Sequence, residues 1–218
     1  MQTRDLVHAL VADAQPVSRL PPPMLRAASW LAGSIAYLAL IVAAVGPRPD
    51  LADKLGDMRF ALEVGAGLAT GALAAAAAFC AGCPGRPLWE RFAPLPALVV
   101  WLASLGEGCW RAWLYSGPTS LSVEPDFLCL PYIVVAGLLP AMLILVMVRK
   151  GAPVAPFTTM MLATLAAAAL SAAALRLFHA QDASITVLVW QFGSVILLAA
   201  LGSLSGRQLL RWPEPSKA

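Results

Sequence analysis

Residues 127–148 read FLCLPYIVVAGLLPAMLILVMV, a run of 22 positions without a charged side chain. At 1.5 Å per residue, a helix of this length covers about 30 Å, the thickness of a bilayer's hydrocarbon core. The run is continuous rather than alternating, so it does not read as a strand of a membrane barrel. Backbone groups find no water in hydrocarbon, and a helix satisfies them within one segment. Five further apolar runs follow the same pattern, at 27–46, 61–82, 93–113, 157–178 and 184–206. The links between runs carry Gly46-Pro47, Pro84-Gly85, Gly117-Pro118 and Gly151-Ala152-Pro153. The whole chain is 60% hydrophobic and 12% charged, with mean hydropathy +0.76. Soluble domains carry about a quarter charged residues. The expected fold is therefore all-α: a polytopic integral membrane protein with six transmembrane helices. Most of the seven Trp fall near predicted helix ends, the place of interfacial anchors.

What lies outside the six runs is short. Residues 1–23 form an arm and spacer, 24–207 the six-helix domain, and 208–218 a tail. In the arm, Thr3 is the expected N-cap and Asp5 sits in the first turn, where a negative charge favours the helix dipole. Leu6, Val7, Leu10, Val11 and Ala14 recur at spacings that place them on one helical face. Gln15-Pro16 ends that helix, because a residue before proline disfavours the helical region. Pro21, Pro22 and Pro23 then make a stiff spacer. A helix of about a dozen residues is marginal alone in water. Its polar face has few cations for gripping a bilayer surface. The arm is thus expected to dock on a partner.

Lys and Arg set the orientation. Arg4, Arg19, Arg26, Arg86, Arg91, Arg149, Lys150, Arg207, Arg211 and Lys217 fall on one side, ten in all. Arg48, Lys54, Arg59, Arg111 and Arg176, five in all, fall on the other. The positive-inside rule then places both termini, and the arm with them, in the cytoplasm.

On that topology the polar groups at the rims of the helices gather at the outer face. They are Glu63, Glu107, Cys109, Arg111, Cys129, Arg176, His179 and Asp182. Ionisable groups in membrane segments are functional candidates; groups this near helix ends also reach water by snorkelling. Glu63, Glu107, Arg111 and Arg176 read as membrane-rim polar residues. Cys109 and Cys129 flank one short loop, where they are open to three readings: a disulfide, free thiols meeting oxidants or soft metals, or two small buried apolar residues. Cys80 and Cys83 form C-A-G-C at the other end, a weak signal without a second pair at zinc spacing. The steps Gly67/Gly71 and Gly202/Gly206, with the runs Ala74–Ala78 and Ala166–Ala169, read as close helix packing. No GxxxxGK[ST], HExxH or GxSxG appears, and two His cannot supply multi-haem ligands. Catalysis, a resident metal and a cofactor are not expected. The net charge of +3 gives no sign of direct nucleic-acid binding.

The chain resembles the NrsF family, membrane-bound anti-sigma factors of the negative-regulator-of-sigma-F type. The resemblance rests on TRDLVHALVADAQPVSRLPPP, GPRPDLADKLGDMRF, CPGRPLWERFAPLPAL, LGEGCW, RKGAPVAP and LRLFHAQDASITVLVWQFGSVILLAALGSLSGRQLLRW, in that order along nearly the whole length. It implies a bacterial inner-membrane protein that holds an extracytoplasmic-function sigma factor inactive and releases it under oxidative or metal stress. The sigma-binding face would be Leu6, Val7, Leu10, Val11 and Ala14. The resemblance also implies outer-face cysteines as the signal input, with Cys129 at one such position. Cys109, His179 and Asp182 complete the candidate sensor. Where a second cysteine is implied beside the histidine of LRLFHAQD, this chain has Ala180. Two rival classes remain: a small-solute transporter or channel using Glu63, Glu107 and Arg176, and a thiol-redox membrane protein using the four cysteines.

Overall fold

The computed structural model describes residues 3–12, 20–117, 129–151, 154–179 and 184–210. Among the described residues the regular structure is all helical. The elements are α1 (Thr3–Ala12), α2 (Pro23–Val45), α3 (Leu51–Gly56), α4 (Met58–Ala81), α5 (Leu95–Ser116), α6 (Cys129–Arg149), α7 (Pro156–Leu175), α8 (Ser184–Thr186) and α9 (Gly193–Leu209). A 3₁₀ elbow, Leu88–Phe92, leads into α5, and a π-helical segment, Val187–Phe192, joins α8 to α9. Six helices are long and apolar enough to cross a membrane, each within a few residues of an expected apolar run. α3, the elbow and the π segment were not expected. Each is too short or too like its surroundings to leave a period in the sequence.

α7 is the centre of the bundle. Of its apolar window 78% is buried, against 17% for α2. α4, α6 and α9 all pack on it, and α2 packs across α4 and α6. Small side chains explain why. Ala166 to Ala169 and Ala172 to Ala174 are all buried, so neighbouring backbones approach α7 from several sides. A Cβ on Gly71 would come within 3.1 Å of the Ala166 carbonyl oxygen, and one on Gly206 within 2.6 Å of the Pro156 carbonyl oxygen. The two expected GxxxG steps are therefore the seams of α4 and α9 against α7.

Two tryptophans depart from the expected interfacial role. Trp30 and Trp101 are buried in the core. Trp30 donates its indole N–H to the Pro140 carbonyl at 2.8 Å, which pins α2 to α6. Trp101 meets Phe192 edge-on, with ring centroids 5.4 Å apart. A buried Trp needs a partner for its N–H, and a helix carbonyl supplies it for Trp30.

At the end of the bundle where α2 begins, arginines close off helix C-termini. Arg26 donates to the Met147 carbonyl near the end of α6. Arg149 donates to the Leu209 carbonyl at 2.7 Å, at the end of α9. The last carbonyls of a helix have no partner within it and carry partial negative charge, which a guanidinium satisfies.

Candidate functional site

The arm comes first. α1 begins at Thr3, so Thr3 lies inside the helix and is not its cap, and Asp5 is in the first turn. Val7 is 52% exposed and Val11 69% exposed. They are four residues apart, hence on one face. Leu6 and Leu10 lie in the same helix, but their side chains are outside the described residues, as is all of Ala14. α1 thus offers exposed branched apolar groups on a short helix, an arrangement that is costly to leave in water.

The far end of the bundle holds the second site. Glu63, 5% exposed, is clamped between two arginines. Arg176 Nη2 reaches its Oε2 at 3.1 Å, and Arg59 Nη2, one turn back on α4, reaches its Oε1 at 3.1 Å. Arg176 is 8% exposed and follows directly on α7. The clamp therefore joins α4 to the end of α7. The link between α2 and α3 is strapped to the same place. Arg48 donates its backbone N–H to the Leu177 carbonyl at 2.9 Å and forks its side chain onto Asp50 at 2.6 and 2.8 Å. The Phe60 ring lies under both guanidinium groups, 5.7 Å from Arg48 and 5.2 Å from Arg176. A polar pocket of about 70 Å³ opens beside them, lined by Lys54, Asp57, Arg59, Phe60, Glu63 and Arg176. So large a share of charge, out of water but paired, is how a membrane protein tolerates ionised groups.

The other rim residues separate. Glu107 and Arg111 pair with each other one turn apart on α5 at 2.6 Å, both well exposed. Cys109, between them in sequence, is half-buried. Cys129 is the first residue of α6, and its side chain is outside the described residues. One turn on, Tyr132 packs against His179, centroids 5.8 Å apart, and against Phe178 at 6.1 Å. The backbone thus brings the start of α6 and the end of α7 together, with Cys129 and His179 at that corner. Asp182 lies outside the described residues. Sequence reasoning counted Arg48 and Arg59 among the cations of this end without singling them out as site residues, and it missed Phe60 and Tyr132. Arg48 alone carried a signal, an arginine in the short apolar-flanked turn GPRPD.

At the opposite end, Cys80 is buried and receives Arg86 Nη2 at 3.6 Å, while Arg86 also pairs with Glu90 at 2.8 Å. Cys83 donates its thiol to the Phe79 carbonyl at 3.5 Å. No group of three or more His, Cys, Asp or Glu side chains able to hold a metal occurs among the described residues.

The class that fold and sites define is a six-span helical membrane bundle carrying a separate amphipathic arm. Its sequence places it further. The model of the NrsF family, negative regulator of sigma F, matches residues 10–212, and the chain belongs to that family. The anti-sigma-F factor NrsF of Caulobacter vibrioides (strain NA1000 / CB15N) is 31% identical over 228 residues, covering 97% of this chain and 100% of the relative. No solved structure matches. The family match begins at residue 10, so it takes in Leu10, Val11 and Ala14 of the arm and leaves out Leu6 and Val7.

Proposed function

We propose that this chain is an anti-sigma factor of the bacterial inner membrane that holds an extracytoplasmic-function sigma factor through its N-terminal arm. The observation that carries this reading is the apolar face of α1, where Val7 and Val11 stand exposed. Residues 1–23 are the sigma-binding arm and spacer, 24–207 the transmembrane domain and 208–218 a tail. Both termini lie in the cytoplasm, as the Lys and Arg balance favours. Leu6, Val7, Leu10, Val11 and Ala14 enter an apolar groove on the sigma factor, in the manner of an amphipathic helix. The chain is a regulator rather than an enzyme and does not itself touch nucleic acid.

Release follows an envelope oxidative or metal signal at the far end. Cys129 is the primary thiol, and Cys109, His179 and Asp182 are the further members of the candidate sensor. Release requires two states of the bundle that differ in affinity for the sigma factor. The clamp on Glu63, which ties α4 to the end of α7 beside the strapped α2–α3 link, is the element whose opening would reach several helices at once.

The test is affinity purification in mild detergent. Tagged full-length chain and a version lacking residues 1–15 are isolated from the native bacterium and their companions identified. A sigma factor should accompany the full-length chain alone. Two folded versions that both emerge without a sigma factor overturn the reading. Two that both retain one move the contact off the arm.

A further inference from the structure

A deep apolar groove runs between α5 and α9 across α7. α5 packs on α4 and α9 packs on α7, which leaves the groove between them open along the flank of the bundle. Its volume is about 630 Å³. Leu162 and Leu165 of α7 form its floor, Leu98 one wall, and Val195 and Ala199 the other. From Thr158 to Leu165 it follows two turns of α7, about 10 Å of the ~15 Å depth of one leaflet.

Its two ends differ. The end deep in the bundle is closed by Phe192, the last residue of the π segment, held edge-on against Trp101. That segment is fixed by Gln191, whose amide donates to the Ala172 carbonyl of α7. π-Helical turns are uncommon and often sit at functional sites. The end at the bundle's surface, on the side of Arg86 and Arg91, is roofed by the 3₁₀ elbow. There Leu88 and Phe92 are exposed, and the half-buried Arg91 joins the lining. Trp89, between them in the elbow, is 69% exposed, as an interfacial anchor would be.

We propose that this groove is a binding site for one anionic phospholipid, its acyl chain along Leu98, Leu165 and Val195 and its phosphate on Arg91. The inference goes beyond the proposed function and rests only on the bundle crossing a bilayer. Within hydrocarbon the groove has no water to fill it, and left empty its lining would lose dispersion contacts. An acyl chain is the apolar material at hand. A guanidinium at the groove's mouth matches a phosphodiester in charge and fork geometry. Basic pockets between spans are a recurrent way of choosing anionic lipids over zwitterionic ones.

The experiment is native mass spectrometry of the full chain released from nanodiscs of equal phosphatidylglycerol and phosphatidylcholine. Wild type should retain phosphatidylglycerol in preference to phosphatidylcholine. Arg91→Gln should lower that preference about tenfold, the loss of one charged hydrogen-bonded contact. Ala200→Trp, introduced at an exposed position on the groove's wall, should remove retained lipid of both kinds without lowering the melting temperature. Equal retention of the two lipids by wild type, or retention unchanged in both variants, overturns the proposal. Displacement of the lipid by millimolar inorganic phosphate would also overturn it, since it would mark a free-anion site in place of a lipid site.

Discussion

The two ends of the bundle use arginine in different ways. At the end where α2 begins, Arg26 and Arg149 donate to backbone carbonyls of α6 and α9. At the far end, Arg176 and Arg59 share the carboxylate of Glu63, and Arg48 forks onto Asp50. A carbonyl keeps its partial charge in all conditions, so the first end is a permanent seal. A carboxylate clamp depends on one ionised side chain. Arg176 is buried, so losing the carboxylate strands it, while Arg59 is half-buried and keeps some access to solvent. One end is therefore held by groups of fixed charge and the other by side-chain ion pairs.

The clamp should be the costlier to break. Glu63→Ala strands Arg176 in a buried site, and removing one partner of a buried pair costs about 3–5 kcal/mol. Thermal unfolding in detergent should show the largest loss of any single variant here. The double variant Glu63→Gln/Arg176→Gln should recover part of it. A double variant no better than the single one would mean the clamp is not a coupled pair.

Packing at the central seam comes next. Gly71→Val must push against the backbone of α7, with overpacking typically costing about 1–3 kcal/mol. Gly65→Ala, whose Cβ would have nothing within 4 Å, should not destabilise and should gain up to about 1 kcal/mol from helix propensity. At the sealed end, Arg149→Ala removes one hydrogen bond to a carbonyl that water can reach, and should cost about 1 kcal/mol. The smallest effect belongs to the exposed pair on α5. Glu107→Gln should change stability by less than about 0.5 kcal/mol in unfolding, as exposed ion pairs do. If Glu107→Gln proved as damaging as Glu63→Ala, burial would not be what separates the two pairs.

A reader of the sequence can find all six long helices, because continuous apolar runs are long and unmistakable. The place of each helix is harder. All six are apolar, and apolarity does not distinguish lipid from protein as a neighbour. The better signal is small size: Ala166 to Ala169 and Ala172 to Ala174 mark α7 as the helix others crowd against. The candidate rim residues could be picked out one by one, but the buried pairing among them could not. Glu63 and Arg176 are 113 positions apart, and no local spacing announces them. Glu107 and Arg111, four apart, are the pair that helical spacing foretells. Trp30 and Trp101 misled because the residue type suits both an interface and a core, and only the fold decides.

The same 113-residue separation sets a timetable for biogenesis. Glu63 enters the membrane with the second span, but Arg176 arrives only after the fifth. At 5–20 residues per second of synthesis, the carboxylate waits roughly 6–23 s with Arg59 as the nearer of its two clamp partners. A chain interrupted in that interval carries an incomplete clamp and an unfilled seam along α4.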